Sequence, residues 1–185
     1  SSLDLLELID RGAFAVLGTT DAFFLDRLTG AYRTDLATAS RTGLLDLSTG
    51  GWSPELCALH GVPMDCLPLI GPVDRGFGAV EATPIRVSIV DQQAALYGHG
   101  CRKAGDCKIT FGTGAFLLAV AGNVRPLAGE LLPTIGWKMQ GARTVFAIEG
   151  GVYDAGAGLE CAKKIGLYAG SAEFDGFEGP SGLRR

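Results

Sequence analysis

No stretch of the sequence is apolar for long enough to cross a membrane. The longest uninterrupted run, about Gly114 to Gly122, is far below the roughly 18–20 residues that a spanning helix needs. No basic segment followed by an apolar one opens the chain, so no secretory leader is expected. Runs of Lys or Arg are also missing, and 16 basic against 20 acidic residues give a formal net charge of −4. That argues against DNA or RNA as a partner, because phosphate backbones are bound by a basic face. The five cysteines, at positions 57, 66, 101, 107 and 161, contain no C-x-x-C pair. His99, Cys101 and Cys107 match no zinc spacing, so no metal site is expected. An odd cysteine count without a leader reads as buried free thiols in a reducing compartment, which points to the cytoplasm. Internal repeats and low-complexity segments are absent.

What is present describes a folded chain. Of 185 residues, 47% are apolar and 19% charged, which excludes a disordered or collagen-like chain. The length allows one ordinary domain or pieces of two, with a real core. Glycine supplies 28 of the residues, about twice the average share of roughly 7%. The glycines gather where strands are expected to end, as tight turns or close approach to a ligand require.

Local patterning gives a mixed order of elements. Ser2 can cap a short helix ending near Gly12, and 14–17 read as a buried strand. A helix carrying Phe23, Phe24, Leu25 and Leu28 is stopped by Gly30. Residues 32–42 read as polar and irregular, and 44–52 as loop. Ser53-Pro54-Glu55 opens a helix to about His60, with a capping Ser and Pro at the first helical position. Pro63, Pro68 and Pro72 then enforce an extended connection. The β-branched run 84–90 predicts a strand, followed by a short helix over 92–98. Strands are expected at 108–111 and 116–120, a hairpin at 134–139 and 144–148, and a helix over 152–165. After Ala169 the pattern fades, as at the end of a piece rather than of a domain. This order is α/β.

Three segments carry chemistry. Asp91-Gln92-Gln93 follows an expected strand, where ligands of open α/β sheets bind. A carboxylate there can take a proton from a hydroxyl, and an amide can both donate to and accept from one. Periodicity alone leaves a second reading open, an Asp that caps the next helix. Gly112-Thr113-Gly114 lies between two apolar runs. It can turn backbone N–H groups and a hydroxyl towards an anion, or be an ordinary hairpin turn. Finally, Gly156 and Glu160 are four apart on an expected helix with small residues in its opening turns. Such a helix admits a flat ligand or packs closely on a sheet.

In this order the segments resemble the FGGY family of carbohydrate kinases, the glycerol kinases in particular. Gly18-Thr19-Thr20-Asp21, Leu28-Thr29-Gly30, Ala39-Ser40-Arg41-Thr42 and Leu67-Pro68 belong to the same ordered set, as do Asp91–Gly98, Phe111–Gly114, Ile148-Glu149-Gly150 and Ala155-Gly156-Ala157. The resemblance covers residues from about 10 to 170. It implies ribonuclease H-like lobes of the actin and sugar-kinase type, incomplete in this chain. Residues 1–100 would be the end of the substrate-side first lobe, and 101–185 the start of the nucleotide-side second lobe. It implies transfer of the γ-phosphoryl group of ATP to a polyol or sugar hydroxyl, with Mg²⁺, and homo-oligomers are common in that family.

By the same resemblance Asp91 would be the base and contact substrate beside Gln92, and Phe116 would line the substrate pocket. Gly112, Thr113 and Gly114 would meet the nucleotide phosphates, with Gly156 and Glu160 also on the nucleotide. Val90 stands where the family has Gly, narrowing the backbone before Asp91, and Glu160 stands where it has Gln. Family members are also much longer. These departures support an alternative reading, a non-catalytic or truncated relative that binds nucleotide or a partner without turnover.

Overall fold

The computed structural model describes residues 16–127, 129–170 and 172–173. The helix expected near Ser2 lies outside them, as do half of the strand expected at 14–17 and most of the tail; residues 16 and 17 are not in a strand. The described residues form two compact units, those of 16–108 with 118–150, and those of 109–117 with 151–173.

The first unit begins with helix α1 (Thr20–Thr29). Thr19 precedes it in extended conformation, Asp21 sits in its first turn and Arg27 in its last, both matching the helix dipole. Gly30 ends it at φ 69°, with its N–H on the Asp26 carbonyl, a conformation other residues adopt at a cost. Strand β1 (Arg33–Asp35) follows and runs parallel to β4 (Leu69–Gly71), Arg33 opposite Leu69. Helix α2 (Leu36–Ala39) is buried throughout. Strands β2 (Leu45–Asp46) and β3 (Gly51–Trp52) pair antiparallel. Helix α3 (Pro54–Leu59) starts as its sequence requires, with the Ser53 hydroxyl accepting the Leu56 N–H at 3.2 Å.

The order expected for 32–42 and 44–52 is therefore too loose. Those stretches hold β1, α2 and the β2–β3 hairpin, and their buried polar residues, Thr34, Asp35 and Thr38, are satisfied by side chains within the fold. The strand expected over 84–90 is also corrected. Only Thr83–Pro84 (β6) pairs, with Ala79–Val80 (β5). Residues 85–90 run on with isolated hydrogen bonds, such as Phe77 N–H to Ile85 O at 2.8 Å and Ser88 N–H to Val73 O at 3.0 Å. β-Branched residues favour an extended backbone, but a strand also needs a continuous neighbour.

Helix α4 (Asp91–Gly98) and strands β7 (Cys107–Phe111), β8 (Ala115–Gly122), β9 (Leu132–Trp137) and β10 (Val145–Val152) come next. The four strands form one sheet in the order β7-β8-β10-β9. The expected hairpin is β9–β10, antiparallel, with an irregularity between Val145 and Phe146. Its second strand runs on to Val152, so helix α5 (Ala155–Lys164) starts later than expected.

Two apolar clusters fill the first unit. One joins Val73, Leu96, Leu118, Val120, Trp137 and Ala147; the other joins Leu36, Ala37, Ala39, Leu45, Ile135 and Phe146. The cysteines are all free thiols. Cys57 and Cys101 are buried as expected, but Cys107 and Cys161 are exposed. Cys107 alternates with the buried Lys108 along β7, and Cys161 lies on a helix, Ala155–Lys164, that has no buried residue. No helix among the described residues is long and apolar enough to cross a membrane.

Candidate functional site

The residues singled out from the sequence fall into two sets, one in each unit. In the first unit Asp91 opens helix α4, and Val90 is the residue before it, with φ −64° and ψ 144°. Valine adopts that extended conformation without strain, so its β-branch does not disturb Asp91. Val90 makes no side-chain cap. Instead the exposed Asp91 carboxylate accepts the N–H of Gln92 at 2.6 Å, so the carboxylate lies at the positive end of the helix. Gln92 is half-buried, and its amide oxygen accepts from Lys108 Nζ at 2.6 Å. Gln93 is fully buried and ties α4 to β9 by donating to the Ile135 carbonyl at 3.2 Å.

In the second unit Gly112-Thr113-Gly114 makes the turn after β7. Gly112 N–H donates to the Gly114 carbonyl at 2.8 Å, so that amide is engaged within the turn. The Thr113 carbonyl accepts the Gly156 N–H at 2.8 Å. The turn therefore satisfies one of the donors that every helix leaves unpaired at its start. A Cβ on Gly156 would lie 3.0 Å from Gly112 O and 3.1 Å from Thr113 O, so only glycine lets α5 approach this closely. Phe116 packs edge-on against Tyr153, ring centroids 5.7 Å apart. Its ring occupies the space that a side chain at Gly114 or Gly151 would need, each Cβ falling within 2.8 Å of it. Glu160 is exposed one turn after Gly156.

Sequence reasoning missed Lys108, which was read only as the first residue of an apolar strand. Its signal is a lone cation in C-K-I-T-F. The structure leaves Lys108 8% exposed while Ile109 and Phe111 are 53% and 72% exposed. Burial pushes its ammonium below its ordinary pKa, and the carboxylates of Asp91 and Glu149 oppose that shift. Arg41, quoted only as part of a motif, pairs two-pronged with Glu149 on β10, one arm at 3.0 Å. Ser40 beside it meets Thr134 Oγ1 at 2.9 Å. Asp35 was missed as well. It is fully buried at the end of β1, and burial raises its carboxyl to about 6. A cavity of about 260 Å³ in the first unit, lined by Leu36, Ile70, Ile135, Lys138, Thr144 and Phe146 among others, includes none of the residues proposed from the sequence.

These elements, an α/β arrangement with a carboxylate opening one helix and a glycine turn docked on another, are those of the sugar-kinase class with ribonuclease H-like lobes. The crystal structure of Plasmodium falciparum glycerol kinase with ADP matches 94% of this chain and 36% of that one, at TM-score 0.83 and 31% identity. Xylulose kinase from Rhodospirillum rubrum shares the fold at TM-score 0.71 and 23% identity, over 92% of this chain and 38% of that one.

Among curated proteins, the glycerol kinase of Bdellovibrio bacteriovorus is 38% identical over 87% of this chain and 35% of its own length. That of Thermus brockianus is 40% identical over 92% of this chain and 36% of its own length. Residues 9–98 match the N-terminal domain of the FGGY family of carbohydrate kinases. The chain belongs to the FGGY family, and it spans about a third of the length of the curated relatives it matches.

Proposed function

We propose that the protein transfers the γ-phosphoryl group of ATP to a hydroxyl of a small polyol or sugar, glycerol being the first candidate. The observation that carries this reading is the pair Asp91–Gln92: an exposed carboxylate at the opening of α4, with an amide fixed beside it. The names of the relatives support it, since those matched over most of this chain are glycerol kinases.

In this reading Asp91 takes the proton of the attacking hydroxyl. The hydroxyl oxygen bonds to the γ-phosphorus as the bond to the β-phosphate bridging oxygen breaks, and ADP leaves. Gln92 and Phe116 hold the acceptor. Gly112, Thr113 and Gly114 meet phosphate oxygens, the Thr113 hydroxyl as donor, and Gly156 and Glu160 border the nucleotide. Mg²⁺ enters with ATP as part of the substrate and neutralises phosphate charge. No group of three His, Cys, Asp or Glu among the described residues could hold a metal. A nucleotide-borne Mg²⁺ keeps several waters and is held largely by the phosphates, so it requires no such group. Residues 1–100 then form the end of the substrate-side lobe and 101–185 the start of the nucleotide-side lobe, which the family match over 9–98 supports. The five free thiols support a cytoplasmic location.

The test is an ADP-release assay on the protein expressed from its full reading frame, with glycerol, other short polyols, ketoses and aldoses. One acceptor is expected to give turnover, and Asp91→Asn to lower it about 10²–10⁴-fold with an unchanged melting temperature. No turnover with any acceptor, or full turnover by Asp91→Asn, overturns the reading.

A further inference from the structure

We propose that Lys108 is a positioning residue for the acceptor site, acting through Gln92: its ammonium fixes which end of the Gln92 amide faces the acceptor hydroxyl. The inference rests on the reading that Asp91 and Gln92 hold that hydroxyl. It starts from one cation on β7: Lys108 is buried, 8% exposed, on a strand of otherwise uncharged residues. Taking an ammonium out of water is costly, and an apolar residue in its place is often neutral or stabilising. A buried lysine on an apolar strand therefore needs a reason beyond packing.

The reason lies in the chemistry of the two partners. A glutamine amide has an acceptor end and a donor end of nearly equal shape, and nothing in its own geometry decides between them. An ammonium only donates. At 2.6 Å from Lys108 Nζ, the Gln92 terminus must present its oxygen to the lysine, and the NH₂ end is turned the other way. Next to it, Asp91 offers only acceptors when ionised. An acceptor hydroxyl entering here would give its proton to Asp91 and receive a hydrogen bond from Gln92. That is the polarity phosphoryl transfer needs, with the oxygen's lone pair left for phosphorus. Asp91 and Glu149 also oppose the lowering that burial imposes on this ammonium. Glu149 is itself held by Arg41, so the charges around Lys108 are fixed by the fold.

Two measurements test this on the protein expressed from its full reading frame. The first is steady-state kinetics with the preferred acceptor. Lys108→Met is expected to raise the acceptor KM at least tenfold while the ATP KM stays within about twofold. Gln92→Leu should do the same, and adding Lys108→Met to Gln92→Leu should change nothing more, because a residue acting through Gln92 has no effect once the amide is gone. An unchanged KM in Lys108→Met, equal rises in both KM values, or additive effects in the double variant overturn the proposal. Should Lys108→Met not fold, Lys108→Gln replaces it. That variant keeps a donor but can also present an acceptor, so the same KM pattern is expected.

The second measurement is independent of turnover: the mobility of the Gln92 side-chain NH₂ by ¹⁵N relaxation. It should be rigid in the wild type and mobile in the Lys108 variant. Equal mobility in both overturns the proposal. A loss of rigidity in a protein with no kinase turnover would uphold the positioning role and sink the catalytic reading instead.

Discussion

Asp35 gives the sharpest stability prediction. Its carboxyl is fully buried, yet it caps α2 by accepting the N–H groups of Ala37 at 2.8 Å and Thr38 at 3.1 Å, together with the Thr38 hydroxyl. Burial is the dominant influence and raises its pKa from 3.8 to about 6; the three hydrogen bonds oppose it and the nearby Asp21 reinforces it. A carboxyl that binds its proton more tightly when folded destabilises the fold once ionised. Below the unfolded value of 3.8 both states are protonated and there is no effect. As pH rises through the window up to about 6, the native state holds the proton that the unfolded state has lost, and stability falls. Above it the full penalty stands. Linkage gives a loss of about 2 kcal/mol between about pH 4.5 and 7.5.

Asp35→Asn isolates this effect. An asparagine can accept the same two N–H groups and donate to the Thr38 hydroxyl, but it does not ionise. Urea unfolding of both proteins at the two pH values is the assay. The wild type should gain about 2 kcal/mol on the variant at the lower pH, with the m-value unchanged. Asp35→Ala does not ionise either but also loses the cap, so it should lie about 1–2 kcal/mol below Asp35→Asn at both pH values. A wild-type-minus-Asn difference that is flat with pH would refute the reasoning, because the carboxyl would then titrate alike in both states.

Two further outcomes follow from contacts. In Gly156→Ala the new methyl meets only backbone, 3.0 Å from Gly112 O and 3.1 Å from Thr113 O, so the turn must move. The gain of about 1 kcal/mol in helix propensity should be outweighed, and nucleotide affinity measured by calorimetry should fall at least tenfold if the turn meets phosphate; unchanged affinity would remove the turn from the site. Arg41→Ala and Glu149→Gln break a pair whose side chains are 31% and 18% exposed. Each should therefore cost only about 1 kcal/mol in urea unfolding at low salt and less at high salt, and a loss that ignores salt would mean the contact acts through packing.

What was legible in the sequence is what local chemistry decides. Ser53-Pro54 announces α3 because the cap and the fixed φ of proline are properties of neighbouring residues. Gly30 ends α1 for the same kind of reason. The order of the D-Q-Q, G-T-G and later glycine motifs was legible as a family pattern, and the family match bears that out. What was not legible depends on partners far along the chain. Residues 32–42 looked like a loop because Thr34, Asp35, Thr38 and Ser40 are polar, and polar usually means exposed. Their burial is possible because they satisfy one another and because Ser40 reaches Thr134, 94 positions away. The run 84–90 failed in the opposite sense, since its composition fits a strand but no continuous neighbour pairs with it.

Lys108 combines both difficulties. Its strand was legible and its burial was not, because the side chain that meets it, Gln92, lies 16 residues earlier. Burial of a charge depends on a partner that can accept from it, and nothing within C-K-I-T-F announces that partner. The ammonium covered in this way is the one that meets the candidate acceptor-binding amide.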